Sequence, residues 1–303
     1  MPELAILFEH PAWFEPLFAA VDRGGIDYAA IKVGDHSFDP ASSPPPAPVI
    51  FNRVAMSSFL REPEHPLFYT MALLDHWRGR GVTVLNGPEV MAIDSSKARQ
   101  LSLLHRLDLH APRTRVVHRA ADLATAAEAI GFPLLVKANI GGSGAGIMRF
   151  DSAAELAAVV AAGDHPRSVD QVLLVQEAVP ARDGMIWRLE TLGGRFLYAL
   201  EIAGAGQFDL CPADACGDER GPIAMRAFDP PAAIAAAAER VAQAMEMDVG
   251  GIEVMIDDRD GSAKFYDINA LSNFVARPVE VLGYDPHDRL VDWLKQRIVE
   301  ARA

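Results

Sequence analysis

An unbroken apolar run at residues 4–8 (Leu-Ala-Ile-Leu-Phe), a helix-forming segment at 11–23 and a second apolar stretch at 26–33 constrain this chain more than any other feature. A run with no polar interruption suits a strand buried on both faces. The segment after it opens on Pro11 and stops at Gly24-Gly25, the residues that start and end helices. Two strands joined through a helix run parallel, so the chain begins as an α/β unit. Short strands at 49–51 and 82–85, with a helix at 66–80 between them, continue the pattern. The proline-rich 42–48 stretch reads as a stiff surface connection.

From Asp94 a new section begins. Asp94 or Ser95 can cap a helix whose Lys97, Leu101, Leu104 and Leu107 share one stripe. Alanine-rich helices are expected at 121–130 and 152–162, with a strand at 132–136 ending on Lys137 between them. Strands follow at 172–176, 186–191 and 195–201, a helix at 231–247, a hairpin at 251–256 and 263–268, and a last helix at 287–301. The 303 residues are enough for two domains at roughly 150 residues each. Apolar residues make up 50% and charged residues 23%, the balance of a soluble globular chain. A net charge of −13 disfavours a nucleic-acid partner. The longest wholly apolar runs, 156–162 and 232–238, fall far short of the ~20 residues a membrane span needs. The start lacks the basic region of a signal peptide, and two cysteines suit a reducing compartment, so a cytoplasmic location is expected.

Gly141–Gly146 holds four glycines in six residues, a loop whose backbone N–H groups can converge on phosphate oxygens; a flexible turn is the alternative. It is not a Walker loop, because Gly146 is followed by Ile147-Met148. Nor does it fit the dinucleotide fingerprint. Lys137, just before it, can reach a phosphate that the loop holds. The hairpin is a stronger signal. Pairing symmetric about residue 260 places Glu253 opposite Asp267 and leaves 258–262 as the turn, while Asp267 and Asn269 share a face. Opposed carboxylates destabilise a hairpin, and a divalent cation removes that penalty. An acidic surface turn is the alternative, but Glu253 and Asp267 each sit between residues suited to burial.

These pieces, in this order, resemble the ATP-grasp superfamily of carboxylate–amine ligases, particularly the branch of the ribosomal-protein glutamate ligase and the glutathione synthetase-like enzymes. The stretches that carry the resemblance are Asp94–Lys97, 111–114, Pro133–Lys137 with the glycine loop, 174–180, 183–188, 251–253 and 267–269. It implies a mixed α/β (α+β) ATP-grasp fold: an N-terminal parallel α/β domain at 1–93, a small lobe with a glycine-rich lid at 94–168, and a C-terminal lobe with the metal site at 169–303. By the same resemblance Lys97 and Lys137 contact ATP phosphates, with Gly142, Ser143 and Gly144 in the lid. Gln176, Glu177, Ala178 and Val179 form the adenine hinge, with Glu177 or Asp183 near the ribose. Arg188 faces the γ-phosphate or an acyl phosphate, and Glu253, Asp267 and Asn269 hold one or two Mg²⁺, with Mn²⁺ a substitute. Glutamate at 253 and aspartate at 267 reverse the commoner order but keep oxygen ligands.

The implied reaction activates a small-molecule carboxylate as an acyl phosphate and joins it to an amine, releasing ADP and phosphate. The same fold also supports a kinase acting on a hydroxyl, or a non-catalytic nucleotide-binding protein; the intact set of charged residues argues against the last. Neither nucleic acid nor membrane is an implied partner, and a homo-oligomer is left open. Substrate contacts are sought at strand ends, at His10 and Trp13, at Arg53 and Arg61, and after the hairpin at Asn273 and Arg277; caps, core packing and surface ion pairs are the alternatives. Cys211 and Cys216 lack the partners of a zinc site.

Overall fold

The computed structural model describes residues 1–61, 65–142, 144, 146–204 and 224–303. Its N-terminal sheet contains β1 (Leu4–Phe8), β2 (Tyr28–Lys32), β3 (Val49–Arg53) and β4 (Thr83–Leu85), all parallel and ordered β2-β1-β3-β4. The α/β start read from the apolar runs is present, with one difference. The segment from Pro11 forms a 3₁₀ turn (Pro11–Phe14) before helix α1 (Glu15–Gly24). Pro16, which has no N–H to donate, restarts the helix in its first turn. Helices α2 (Pro66–Gly79) and α3 (Pro88–Asp94) follow.

Helix α4 spans Lys97–Arg106. Asp94 ends α3, so neither Asp94 nor Ser95 caps α4; Ser96 does, accepting from the Arg99 amide at 3.3 Å. The second sheet is antiparallel, ordered β5-β8-β6-β7, from β5 (Thr114–Val117), β6 (Leu134–Ala138), β7 (Ile147–Phe150) and β8 (Leu173–Glu177). Lys137 therefore lies inside a strand rather than at its end. Strand β8 pairs with both β5 and β6, so this sheet runs past residue 168. Helices α5 (Leu123–Ile130) and α6 (Ala153–Ala162) cover it through Leu123, Ala127, Ile130 and Leu156.

The third sheet is antiparallel: β9 (Ala181–Leu192), β10 (Arg195–Ala203), β11 (Met225–Phe228), β12 (Val249–Asp257) and β13 (Ala263–Asn269), ordered β11-β10-β9-β12-β13. Helix α7 (Ala232–Ala244) and the Leu101–Leu104 face of α4 share a core with Val254, Phe265 and Ile268. Helix α8 (Pro278–Leu282) leads to α9 (Pro286–Glu300), whose Leu290, Val291, Leu294 and Ile298 return to the N-terminal sheet's core. Among the described residues no helix is long and apolar enough to cross a membrane. Ser143, Cys211 and Cys216 lie outside the described residues.

Asn86 stitches the N-terminal sheet to the third one. Its side-chain N–H₂ donates to the carbonyls of Val249 (2.7 Å) and Ala270, and its oxygen accepts from the amides of Asp248 and Val249. A φ of 49° lets Asn86 make this turn, which asparagine tolerates better than most residues.

Candidate functional site

In the N-terminal sheet the strand order reverses between β1 and β3, and open α/β sheets leave a crevice at such a point. Trp13, Met56 and Ser57, which follow these two strands, line one side of a 310 Å³ cleft, and the other two sheets line the rest. Strand alternation puts Leu135, Lys137 and Asn139 on one face, and all three face the cleft. In the third sheet the register sets Arg188 of β9 beside Glu253 of β12, and Glu253 beside Asp267 of β13. These three form one row. The next row is Glu190, Gly251 and Asn269.

The hairpin keeps the expected Glu253–Asp267 pair and the 258–262 turn, but the register is not symmetric throughout. Val254 faces Phe265 and Ile256 faces Ala263, leaving Tyr266 as the extra residue of a bulge. Tyr266 and Asp267, adjacent in sequence, consequently both line the cleft, and the Tyr266 hydroxyl donates to Glu253 Oε2 at 2.8 Å.

Cations already offset the opposed acids. Arg188 Nη1 donates to Glu253 Oε1 at 3.0 Å, Lys97 Nζ pairs with Asp267, and Asn269 Nδ2 lies 3.4 Å from Glu253 Oε1. Two protein side chains thus supply the compensation that sequence reasoning assigned to a metal. Burial, then the charge of Asp267, raises the Glu253 carboxyl above its ordinary range against the pull of Arg188. Burial alone would lower Lys97, but Asp267, with Glu253 and Asp94 behind it, holds it above its usual value. For Lys137 burial dominates and Lys97 adds repulsion, bringing it down to about 8.

Asn139 holds the two lysines together. Its side-chain oxygen accepts from the Ala98 amide at 2.9 Å, and its backbone carbonyl accepts from the Lys97 amide at 3.2 Å. The end of β6 is thereby fastened to the start of α4.

The remaining expected residues divide clearly. Gln176, Glu177, Ala178, Val179, Gly142, Gly144 and Asn273 line the cleft. The Glu177 carboxylate is committed elsewhere, accepting from the Arg113 amide (2.9 Å), Arg113 Nε (3.2 Å) and Arg259 Nη2 (3.3 Å), which leaves it poorly placed for a ribose. Asp183 is exposed and outside the cleft. His10 caps the 3₁₀ turn by accepting from the Trp13 amide at 3.2 Å, and does not line the cleft. Arg53 does not either. It is 2% exposed, lies near the rings of Phe14 and Phe51, and donates to the Ser272 carbonyl. Arg277 is exposed and paired with Glu280 at 3.2 Å. Arg61 pairs with the buried Glu9 at 2.6 Å and stacks on Trp13.

Sequence reasoning read Asp94 as a helix cap rather than a cleft residue, and overlooked Gln100, Glu190 and Tyr266. Asp94 lines the cleft, and burial, reinforced by Asp267, raises it to about 7. Gln100 clasps β13, donating to the Ile268 carbonyl at 2.9 Å and accepting from the Ile268 amide. Periodicity alone marks Gln100 and Glu190 as polar residues among apolar neighbours, a signal of buried pairing.

A two-lobed cleft between antiparallel sheets, with Lys137 on one sheet, the paired acids on the other and Lys97 of α4 beside those acids, defines the ATP-grasp class. The chain belongs to the RimK-like ATP-grasp family, whose model matches residues 94–294. A probable alpha-L-glutamate ligase of Pseudomonas fluorescens is 28% identical over 135 residues, an alignment covering 44% of each chain. The match therefore spans less than half the length of that relative. Among solved structures, the ATP-grasp ligase PsnB complexed with a minimal precursor superposes at a TM-score of 0.70, 16% identity, and 97% and 98% coverage of this chain and that one. A RimK-domain ATP-grasp protein of Sphaerobacter thermophilus gives 0.70, 16%, and 96% and 99%. D-alanine–D-alanine ligase of Bacillus anthracis, complexed with ATP, gives 0.69, 13%, and 99% and 97%. At these identities the structures share the fold.

Proposed function

We propose that this protein is an ATP-dependent carbon–nitrogen ligase that joins a small carboxylate to an amine through an acyl phosphate, releasing ADP and phosphate. The observation that carries this reading is the convergence of Lys97, Lys137, Arg188, Glu253, Asp267 and Asn269 in one cleft. Its setting between two antiparallel lobes matches the fold of ligases solved with nucleotide, PsnB with Mg and ADP among them. The N-terminal α/β unit, the β5–β8 lobe and the β9–β13 lobe each provide part of the wall.

Each cleft residue then has a task. Lys97 and Lys137 neutralise phosphate oxygens, and Gly142 and Gly144 lie where a phosphate-covering lid is needed. Residues 176–179 offer backbone groups to the adenine. Arg188 stabilises the charge that spreads over the transferred phosphoryl group. Glu253, Asp267 and the Asn269 side-chain oxygen are hard donors that fit Mg²⁺, although among the described residues no three His, Cys, Asp or Glu side chains gather as a metal site. The remaining ligands then come from phosphate oxygens and water. A bound Mg²⁺ supplies charge neutralisation at the phosphates. Excluding water protects the acyl phosphate until the amine arrives. Replacing Asp267 by Asn together with Asn269 by Ala should abolish Mg-ATP turnover with the circular-dichroism spectrum retained. ADP release at the wild-type rate would refute the site.

A further inference from the structure

The second row of the third sheet contains an asymmetry that the proposed chemistry does not explain. Glu190, Gly251 and Asn269 are cross-strand neighbours, two residues along from Arg188, Glu253 and Asp267. All of them therefore belong to one face. The middle position of the second row is a glycine in a strand, where glycine is ordinarily a loss of stability and packing. The space over it is taken. A Cβ on Gly251 would lie 2.7 Å from Arg188 Nε, 2.8 Å from Arg188 Nη2 and 2.8 Å from Glu190 Oε1. Arg188 Nε donates to Glu190 Oε1 at 2.7 Å, and both side chains are nearly sealed from solvent at 9% and 1% exposure. Arg188 Nη1 reaches the other way, to Glu253.

We propose that Glu190 and Gly251 form a seat that positions the Arg188 guanidinium: Gly251 gives it a place to lie and Glu190 fixes its rotation through Nε. The inference rests on the reading of Arg188 as the residue facing the transferred phosphoryl group. A guanidinium is a planar fork, so holding it at Nε sets the plane in which its two terminal nitrogens are presented. Neither Glu190 nor Gly251 needs to touch substrate. Glu190 has a second demand on its charge: burial lowers the Arg53 guanidinium to about 9, and the Glu190 carboxylate opposes that shift. The carboxylate thus sits within reach of two arginine charges, one from the N-terminal unit and one at the cleft. Its other oxygen, Oε2, is buried without a hydrogen-bond partner. Accepting that cost is consistent with a carboxylate retained for its charge and placement.

Gly251→Ala is the sharpest probe, since it removes no polar group and adds one methyl where the guanidinium lies. In steady-state assays of ADP release it should lower kcat at least tenfold while KM for ATP stays within threefold. Glu190→Ala should behave likewise, and Glu190→Gln, which keeps an acceptor for Nε, should recover part of the loss. In an Arg188→Ala background, Gly251→Ala should change the residual rate less than twofold, because its effect is transmitted through the missing side chain. An equal loss in both backgrounds, or wild-type kcat for Gly251→Ala, would overturn the proposal. A readout that needs no turnover separates this from the activity itself. The Arg188 Nε–H resonance in a ¹⁵N spectrum, assigned by its absence in Arg188→Lys, should be protected from exchange in the wild type and lose that protection in Glu190→Ala. Persistence of protection in Glu190→Ala would refute the seat. Full turnover by Arg188→Ala would instead refute the role of Arg188.

Discussion

Lys137 is held in the cleft at a cost. Burial and the neighbouring Lys97 lower its ammonium from an ordinary 10.5 to about 8, with Asp267 and Glu253 opposing the shift. Because the folded value lies below the unfolded one, protonation of Lys137 disfavours the free protein at all pH values below about 8. That penalty is relieved as the pH rises from 8 towards 10.5. An anionic ligand reverses the preference, since it needs the charged lysine. Calorimetric affinity for Mg-ATP should accordingly fall as the pH is raised through about 8, and Lys137→Met should lower affinity and flatten that pH dependence. An affinity unchanged between pH 7 and 9 would contradict the placement of Lys137 at the phosphates. Gly142 makes a second prediction at this scale. A Cβ there would come within 2.6 Å of the Ser57 side chain, so Gly142→Ala should raise KM for ATP severalfold by pushing the loop off the N-terminal unit. Gly142→Ala combined with Ser57→Gly should restore it.

Among the elements, the hairpin turn and the end of β8 meet through charges. Arg259, in the 258–262 turn, binds the buried Asp257 and reaches Glu177, which also takes the Arg113 amide. Sheets from two lobes are therefore tied directly behind residues 176–179. Arg259→Ala should raise KM for ATP by about three- to tenfold with little change in kcat, measured by steady-state kinetics, because it loosens the hinge without touching the phosphates; a reduced kcat at unchanged KM would contradict this. This network also shows what the sequence could and could not reveal. The succession of strands along the chain, the Glu253–Asp267 pair and the nearness of Lys137 to the glycine loop follow from period, turn length and spacing, which are local; the cleft placement of Gln176 is implied by the family resemblance alone. The bulge at Tyr266, the commitment of Glu177 to two arginines and the burial of Arg53 depend on partners 13 to more than 200 residues away. For Glu177 and Arg53 no local window contains both members, and within the hairpin nothing in the pattern marks Tyr266 as the bulged residue. Asp183 and Arg277 were reached through resemblance or proximity to a motif, and neither lines the cleft.

At the scale of the whole molecule, the chain closes on itself twice. Helix α9 packs against α1 and the N-terminal core, and Asn86 bonds four backbone groups in two segments of the third sheet. Asn86→Ala would leave those buried groups unpaired. It should cost about 2–4 kcal/mol in a urea melt, a large share of a marginal stability. A change under about 0.5 kcal/mol would show that the stitch contributes little. The same closure brings the N-terminal strand ends, the lysines and the acidic row to one cleft. The most direct measurement is ADP and product formation by the purified protein with Mg-ATP across a panel of amino acids, dipeptides and hydroxy acids. ADP release should require both a carboxylate and an amine, with an amide product by mass spectrometry and loss of both signals in the Asp267→Asn, Asn269→Ala variant. ADP release with phosphorylation of a hydroxyl and no amide, or product formed equally by that variant, would contradict the ligase reading.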